Sequence, residues 1–113
     1  MSDLTLNEYQ QKAARTLEAG TQSASLSVLA LGLAGESGEV ADLVKKHIGH
    51  GHHLDMTKLA KELGDCLWYI SGIAKHFNIH LSAIGEANIE KLLKRYPDGF
   101  SSEASINRVD DPE

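Results

Sequence analysis

Four acidic residues are spaced for shared chemistry. Leu26, Leu29 and Leu33 recur at helical intervals, and the next member of that stripe, due at position 36 or 37, is Glu36. Glu39 follows one turn later, before Val40 and Val44 resume the apolar stripe. A second segment repeats the arrangement with Leu59, Glu62, Asp65 and Tyr69. Positions i and i+3 share a helix face, so each segment offers an acidic pair to the inside of a bundle. Like charge and desolvation prevent four facing carboxylates from all staying ionised without cations. They either protonate or hold metal. The candidates are hard oxygen donors with no His or Cys at ligand spacing among them, which selects Mg²⁺, or Mn²⁺ in its place, over zinc or copper. A di-iron bundle needs Glu-x-x-His on two helices, and no Glu here has a His three residues on.

For either pair alone, an ordinary solvated face is the competing reading. Two pairs are more specific, and glycines add weight. Gly32, Gly35 and Gly38 lie at i+3 spacing and Gly64 sits between the second pair. Each costs about 1 kcal/mol of helix propensity relative to Ala. A close approach to those backbones, by a helix, a partner subunit or a ligand, would account for them.

The elements that must position these acids are helices. Thr5 and Glu8 have capping-box spacing ahead of Leu6, Tyr9, Ala13 and Leu17, which predicts a first helix over about 5–18. Gly20 and the polar run to Ser25 read as a connection. A second helix is expected over about 23–47, broken by Gly49-His50-Gly51-His52-His53. Asp55 can cap a third helix, striped by Leu59, Leu63, Leu67, Ile70, Ala74 and Phe77 and ending near His76. Ser82 can cap a fourth, carrying Ile84, Ala87 and Leu92 up to Arg95 and the stop at Pro97. No strand-like alternation appears. The expected fold is all-α, an antiparallel four-helix bundle within a single domain over 1–100, followed by a loose polar tail over 101–113.

Composition narrows the partners. The 113 residues suit one domain, 42% are hydrophobic and only 5% aromatic, so aliphatic side chains must fill the core. With 11 basic and 16 acidic residues the net charge is −5, which predicts no nucleic acid and no anionic membrane as partner. An anionic ligand would need cations between itself and the protein's carboxylates. A lone cysteine, Cys66, forms no internal disulfide and suits a reducing compartment. The first residues carry no secretory-type signal, and no run reaches the roughly 18 apolar residues of a membrane span, so a cytoplasmic location is expected.

The ordered pattern resembles a known family. Glu36-x-x-Glu39, a gap of 22 residues and Glu62-x-x-Asp65 are similar to the signature of the all-α nucleoside triphosphate pyrophosphohydrolases, the MazG-like group that includes dimeric dUTPases and dCTP pyrophosphatases. The stretches Gly32 to Asp42, Lys61 to Asp65 and Asn88 to Phe100, with its Arg95-Tyr96-Pro97 turn, resemble MazG-like segments in the same order. The likeness spans about residues 5–100. It implies hydrolysis of a (d)NTP between the α and β phosphates to (d)NMP and pyrophosphate, for nucleotide-pool housecleaning. It further implies Mg²⁺ on Glu36, Glu39, Glu62 and Asp65, with Glu36 or Glu39 as the expected general base. Tyr69 resembles a position near the phosphates, although a core tyrosine is the alternative. Asn88, Lys91 and Arg95 share one face of the fourth helix and are expected to hold phosphate oxygens. A homodimer or homotetramer with substrate pockets near the interface is also implied. Two other readings of the same bundle are a phosphoribosyl-ATP pyrophosphohydrolase relative and a non-catalytic helical interaction module of toxin–antitoxin type.

Other features carry less. The glycine-rich run before Glu39 lacks the Gly-Lys-Ser/Thr of a P-loop and lies within a helical stripe. His47, His50, His52 and His53 read as a polar loop rather than a zinc site. Trp68 lies beside the acids and could stack on a base, or serve as a core or interface residue.

Overall fold

Local signals at the helix starts act as their chemistry requires. Thr5 and Glu8 form the expected reciprocal box, the Thr5 N–H donating to Glu8 Oε1 at 3.0 Å and the Glu8 N–H to Thr5 Oγ1 at 3.1 Å. In the computed structural model, which describes residues 3–18 and 25–108, this box opens α1, Leu6–Glu18. Ser25 caps α2, Leu26–His50, and Asp55 caps α3, Met56–His76, by accepting from the N–H groups of Thr57 and Lys58. The fourth helix, α4, is Leu81–Arg95, and a short α5 covers Ser102–Asn107.

Several boundaries differ from expectation. Helix α2 runs through Gly49 to His50 and stops where Gly51 adopts φ 72° and the His52 N–H returns to the Lys46 carbonyl at 3.0 Å. Residues 19–24, holding the expected connection and the expected start of that helix, lie outside the described residues. Ser82 is not the cap of α4. His80 occupies that position and contributes no side-chain cap, and the first N–H groups are satisfied by α1 instead. Leu81 N–H donates to Gln10 Oε1 at 2.9 Å and Ser82 N–H to Asn7 Oδ1 at 3.0 Å, while Gln10 Nε2 donates to the Ile79 carbonyl at 2.9 Å. A long-range partner removed the need for a local one. The stretch expected as a loose tail holds α5, capped by Ser101, and a Ser105 hydrogen bond draws the Tyr96 phenol below its usual range. Residues 109–113 are not described.

The fold is all-helical, a four-helix bundle with α5 appended, and α3 is its central member. Helix α2 packs on α3, and α1 packs on both α3 and α4. Gln10 against Ile79 and Leu17 against Gly72 show α1 running antiparallel to α3. Among the described residues the buried apolar side chains are Ala13, Ala14, Leu29, Ala74 and Leu81. The expected core stripes are only partly covered in a single chain, since Leu63, Ile70, Phe77, Ile84 and Leu92 are exposed. The radius of gyration, 17.1 Å, exceeds the about 13 Å of a compact chain of this length. Apolar helix faces therefore stay open. No helix among the described residues is long and apolar enough to cross a membrane.

Candidate metal centre

The site is built where α2 and α3 run side by side. Leu29 meets Gly72, Gly32 meets Tyr69 and Ser37 Oγ lies 4.0 Å from Cys66 Sγ, so the two helices pair antiparallel in a fixed register. That register places Glu36 opposite Asp65 and Glu62. One carboxylate oxygen from each of these three residues lies within 4.8 Å of the others. Glu36 and Glu62 are half-buried and Asp65 is exposed. Glu39, exposed one turn beyond Glu36, is outside the cluster of three.

Crowding of the acids leaves a clear electrostatic mark. The Glu36 carboxyl is pushed up from 4.5 to about 7, first by a hydrogen bond with Glu62, then by burial, and then by the charges of Glu62, Asp65 and Glu39. A carboxyl that holds a proton near neutrality because its neighbours are anions is a position a cation can take instead. Three hard oxygen donors from two helices could hold a divalent metal ion. Around them, Asp42 pairs with Lys46 at 2.8 Å and Lys45 at 3.4 Å, which holds its carboxyl low and fixes that face of α2.

The remaining sequence-derived residues take different places. Tyr69 lays its ring on the α2 backbone at Gly32, so one of the four glycines receives a neighbour within the chain. Among the described residues nothing lies within 4 Å of where a Cβ on Gly35, Gly38 or Gly64 would stand, leaving the helix faces beside the acids open. Trp68 donates its indole N–H to Thr16 Oγ1 at 3.0 Å and meets the Tyr69 ring edge-on at 5.1 Å, tying α3 to α1. Asn88 and Lys91 are exposed on α4, and the half-buried Arg95 sets its guanidinium 5.9 Å from the centroid of Tyr96. Tyr9 was not singled out from sequence. Burial, and then the charge of Asp65, push its phenol up, placing α1 within electrostatic range of the acids. Only its position on the α1 stripe could have pointed to it. Among the histidines, His47 Nδ1 is engaged with the His52 carbonyl at 2.8 Å.

Two cavities lie apart from the acids. One of about 390 Å³ is bounded by α1 and the turn before α4, and one of about 460 Å³ lies between the end of α4 and α5.

Comparison with known proteins agrees with this geometry. Residues 24–100, which include all four acids and the α4 basic face, match the MazG nucleotide pyrophosphohydrolase domain. The "Gene 37 protein" of Mycobacterium phage L5 is 34% identical over 87 residues, covering 74% of this chain and 76% of its own length. No solved structure gives a significant match. With its ordered acids on paired helices and a match over most of its length, the chain belongs to the MazG nucleotide pyrophosphohydrolase domain family.

Proposed function

We propose that this protein is a Mg²⁺-dependent nucleoside triphosphate pyrophosphohydrolase that cleaves (d)NTP between the α and β phosphates and serves nucleotide-pool housecleaning. The observation that carries the proposal is the convergence of Glu36, Glu62 and Asp65 from two helices within 4.8 Å. These three carboxylates are the proposed metal set, and Glu39, expected from the sequence as a fourth ligand, stands beside them as the proposed base. Bound Mg²⁺ or Mn²⁺ would neutralise the triphosphate and make a coordinated water acidic at neutral pH.

The chain's own groups do the rest. Glu39 stands outside the cluster and within one turn of it, so its carboxylate is free to take the proton of the attacking water. Water adds to phosphorus, the bridging oxygen departs with pyrophosphate, and the monophosphate remains. Asn88, Lys91 and Arg95, at i, i+3 and i+7 of α4, are the proposed donors to phosphate oxygens. Arg95 stacked near Tyr96 has its side-chain direction restricted, which lowers the entropy lost on binding an anion. The Tyr69 and Trp68 contacts within the bundle support packing roles beside any contact with substrate.

Open apolar faces support self-association into a homodimer or a homotetramer, with Leu31 on α2 exposed to 73% and Leu63 on α3 to 51%. We place the catalytic domain within residues 1–100 and the protein in the cytoplasm. The test is pyrophosphate release from a panel of NTPs and dNTPs with Mg²⁺, Mn²⁺ or EDTA, the nucleotide product identified by chromatography. Metal-dependent monophosphate formation is expected. Turnover of phosphoribosyl-ATP alone would move the assignment to that substrate, and absence of any turnover would leave a helical interaction module.

A further inference from the structure

We infer that a reciprocal interlock between α2 and α3 sets the register of the acids, and that Tyr69 is a positioning residue of the metal centre, acting through Gly32. The inference rests on the metal-centre reading. At one level of the helix pair, α2 supplies the large side chain and α3 the glycine: a Cβ on Gly72 would sit 3.3 Å from Leu29 Cδ2 and 3.2 Å from Leu17 Cδ1. One turn on, the roles reverse. The Tyr69 ring of α3 occupies the space over Gly32 of α2, and a Cβ there would overlap the ring, 2.8 Å from Cδ1.

The next turn on both helices carries the acids. Glu36 is four residues after Gly32, and Asp65 is four residues before Tyr69. The level pairs Leu29 with Gly72, Gly32 with Tyr69, and Glu36 with Asp65 therefore follow in order along the antiparallel contact. Axial separation of two helices is set by the side chains at their contact. Trp68, edge-on to Tyr69 at 5.1 Å and bonded to Thr16, limits where the ring can swing. A substitution that expels or removes the ring shifts the acids relative to each other, and Mg²⁺ tolerates such shifts poorly.

The test titrates metal-free protein with Mn²⁺ and follows the free-ion signal by electron paramagnetic resonance, with helicity checked by circular dichroism. Gly32→Ala and Tyr69→Ala are expected to weaken Mn²⁺ binding by about tenfold or more, while Tyr69→Phe, which keeps the ring, stays within about twofold of wild type. Adding Tyr69→Leu to Gly32→Ala is expected to return part of the loss. Gly85→Ala, which crowds Leu6 at 3.2 Å between α4 and α1, serves as the packing control and leaves Mn²⁺ affinity unchanged. Wild-type affinity in Gly32→Ala and Tyr69→Ala would overturn the interlock while leaving the metal centre standing. If Gly32→Ala fails to fold, the Tyr69→Ala and Tyr69→Phe pair decides alone. Failure of the wild type itself to bind Mn²⁺ would overturn the metal centre and the interlock together.

Discussion

A carboxylate oxygen of Glu36 on α2 lies within 4.8 Å of one of Glu62 on α3, and interaction with Glu62 is the largest cause of the rise of Glu36 to about 7. Two carboxyls can share a hydrogen bond only while one keeps its proton. Asp65 completes a cluster of three carboxylate oxygens with this pair.

Stability should depend on pH in a direction this pair sets. Glu36 has a folded value near 7 against 4.5 ordinarily, so between those values the folded state binds more protons than the unfolded state. Its contribution to stability is fully present below 4.5 and is lost as pH rises through about 7. Mg²⁺ replaces the proton, so the gap in Tm between Mg²⁺ and EDTA should widen as pH rises from 5 to 8. At about 100 times Kd the metal contributes about 2.7 kcal/mol. Thermal unfolding at fixed ionic strength checks this, and an equal gap at every pH would contradict it.

Position separates Glu39 from Asp65. As the proposed base outside the cluster, Glu39→Gln should lower kcat about 100-fold or more while Mn²⁺ affinity changes little. Asp65→Asn removes a clustered oxygen charge and should weaken Mn²⁺ binding itself. Parallel metal titrations and single-turnover rates distinguish the two. Equal losses of affinity would make Glu39 a ligand.

Lys91→Ala and Arg95→Ala should weaken triphosphate binding, each by about 1.5–3 kcal/mol if its charge-assisted bond to phosphate is lost. The loss should shrink for nucleoside monophosphate. Isothermal titration with a non-hydrolysable triphosphate and with the monophosphate measures the difference, and equal, small effects on both would remove α4 from the site.

The Gln10 clamp is a stability prediction independent of catalysis. Gln10 is 8% exposed and serves both Ile79 and Leu81. Gln10→Leu leaves a part-buried carbonyl and a buried helix N–H without partners and should cost about 1–3 kcal/mol in urea unfolding. Asn7→Ala should cost about 1 kcal/mol through the Ser82 N–H. Wild-type midpoints in both variants would show the α4 start to be satisfied otherwise.

Much of this was legible in the chain because the signals were local. Capping at Thr5–Glu8 and at Asp55, and the interruption of an apolar stripe by Glu36 and Glu39, are written within one or two turns. The α4 start was misplaced because its caps come from Asn7 and Gln10, some seventy residues away. Helix α5 was missed because a six-residue polar helix has almost no periodicity, and it depends on Ser101 and on the Tyr96–Ser105 bond. Glycine spacing marks a close approach but not what approaches, since Gly32, which receives Tyr69, looks the same in sequence as Gly35, which meets no neighbour among the described residues. The exposure of Leu63 and Ile70 was hidden because periodicity marks an apolar face without saying whether the same chain covers it.

The most direct test is product analysis of a (d)NTP incubated with wild-type and Asp65→Asn protein, in Mg²⁺ and in EDTA. Monophosphate and pyrophosphate in equal amounts, from wild type with Mg²⁺ and from neither Asp65→Asn nor EDTA samples, is the result expected. Diphosphate with inorganic phosphate, or monophosphate formed equally in EDTA, would contradict an α–β cleavage carried by the acids of α2 and α3.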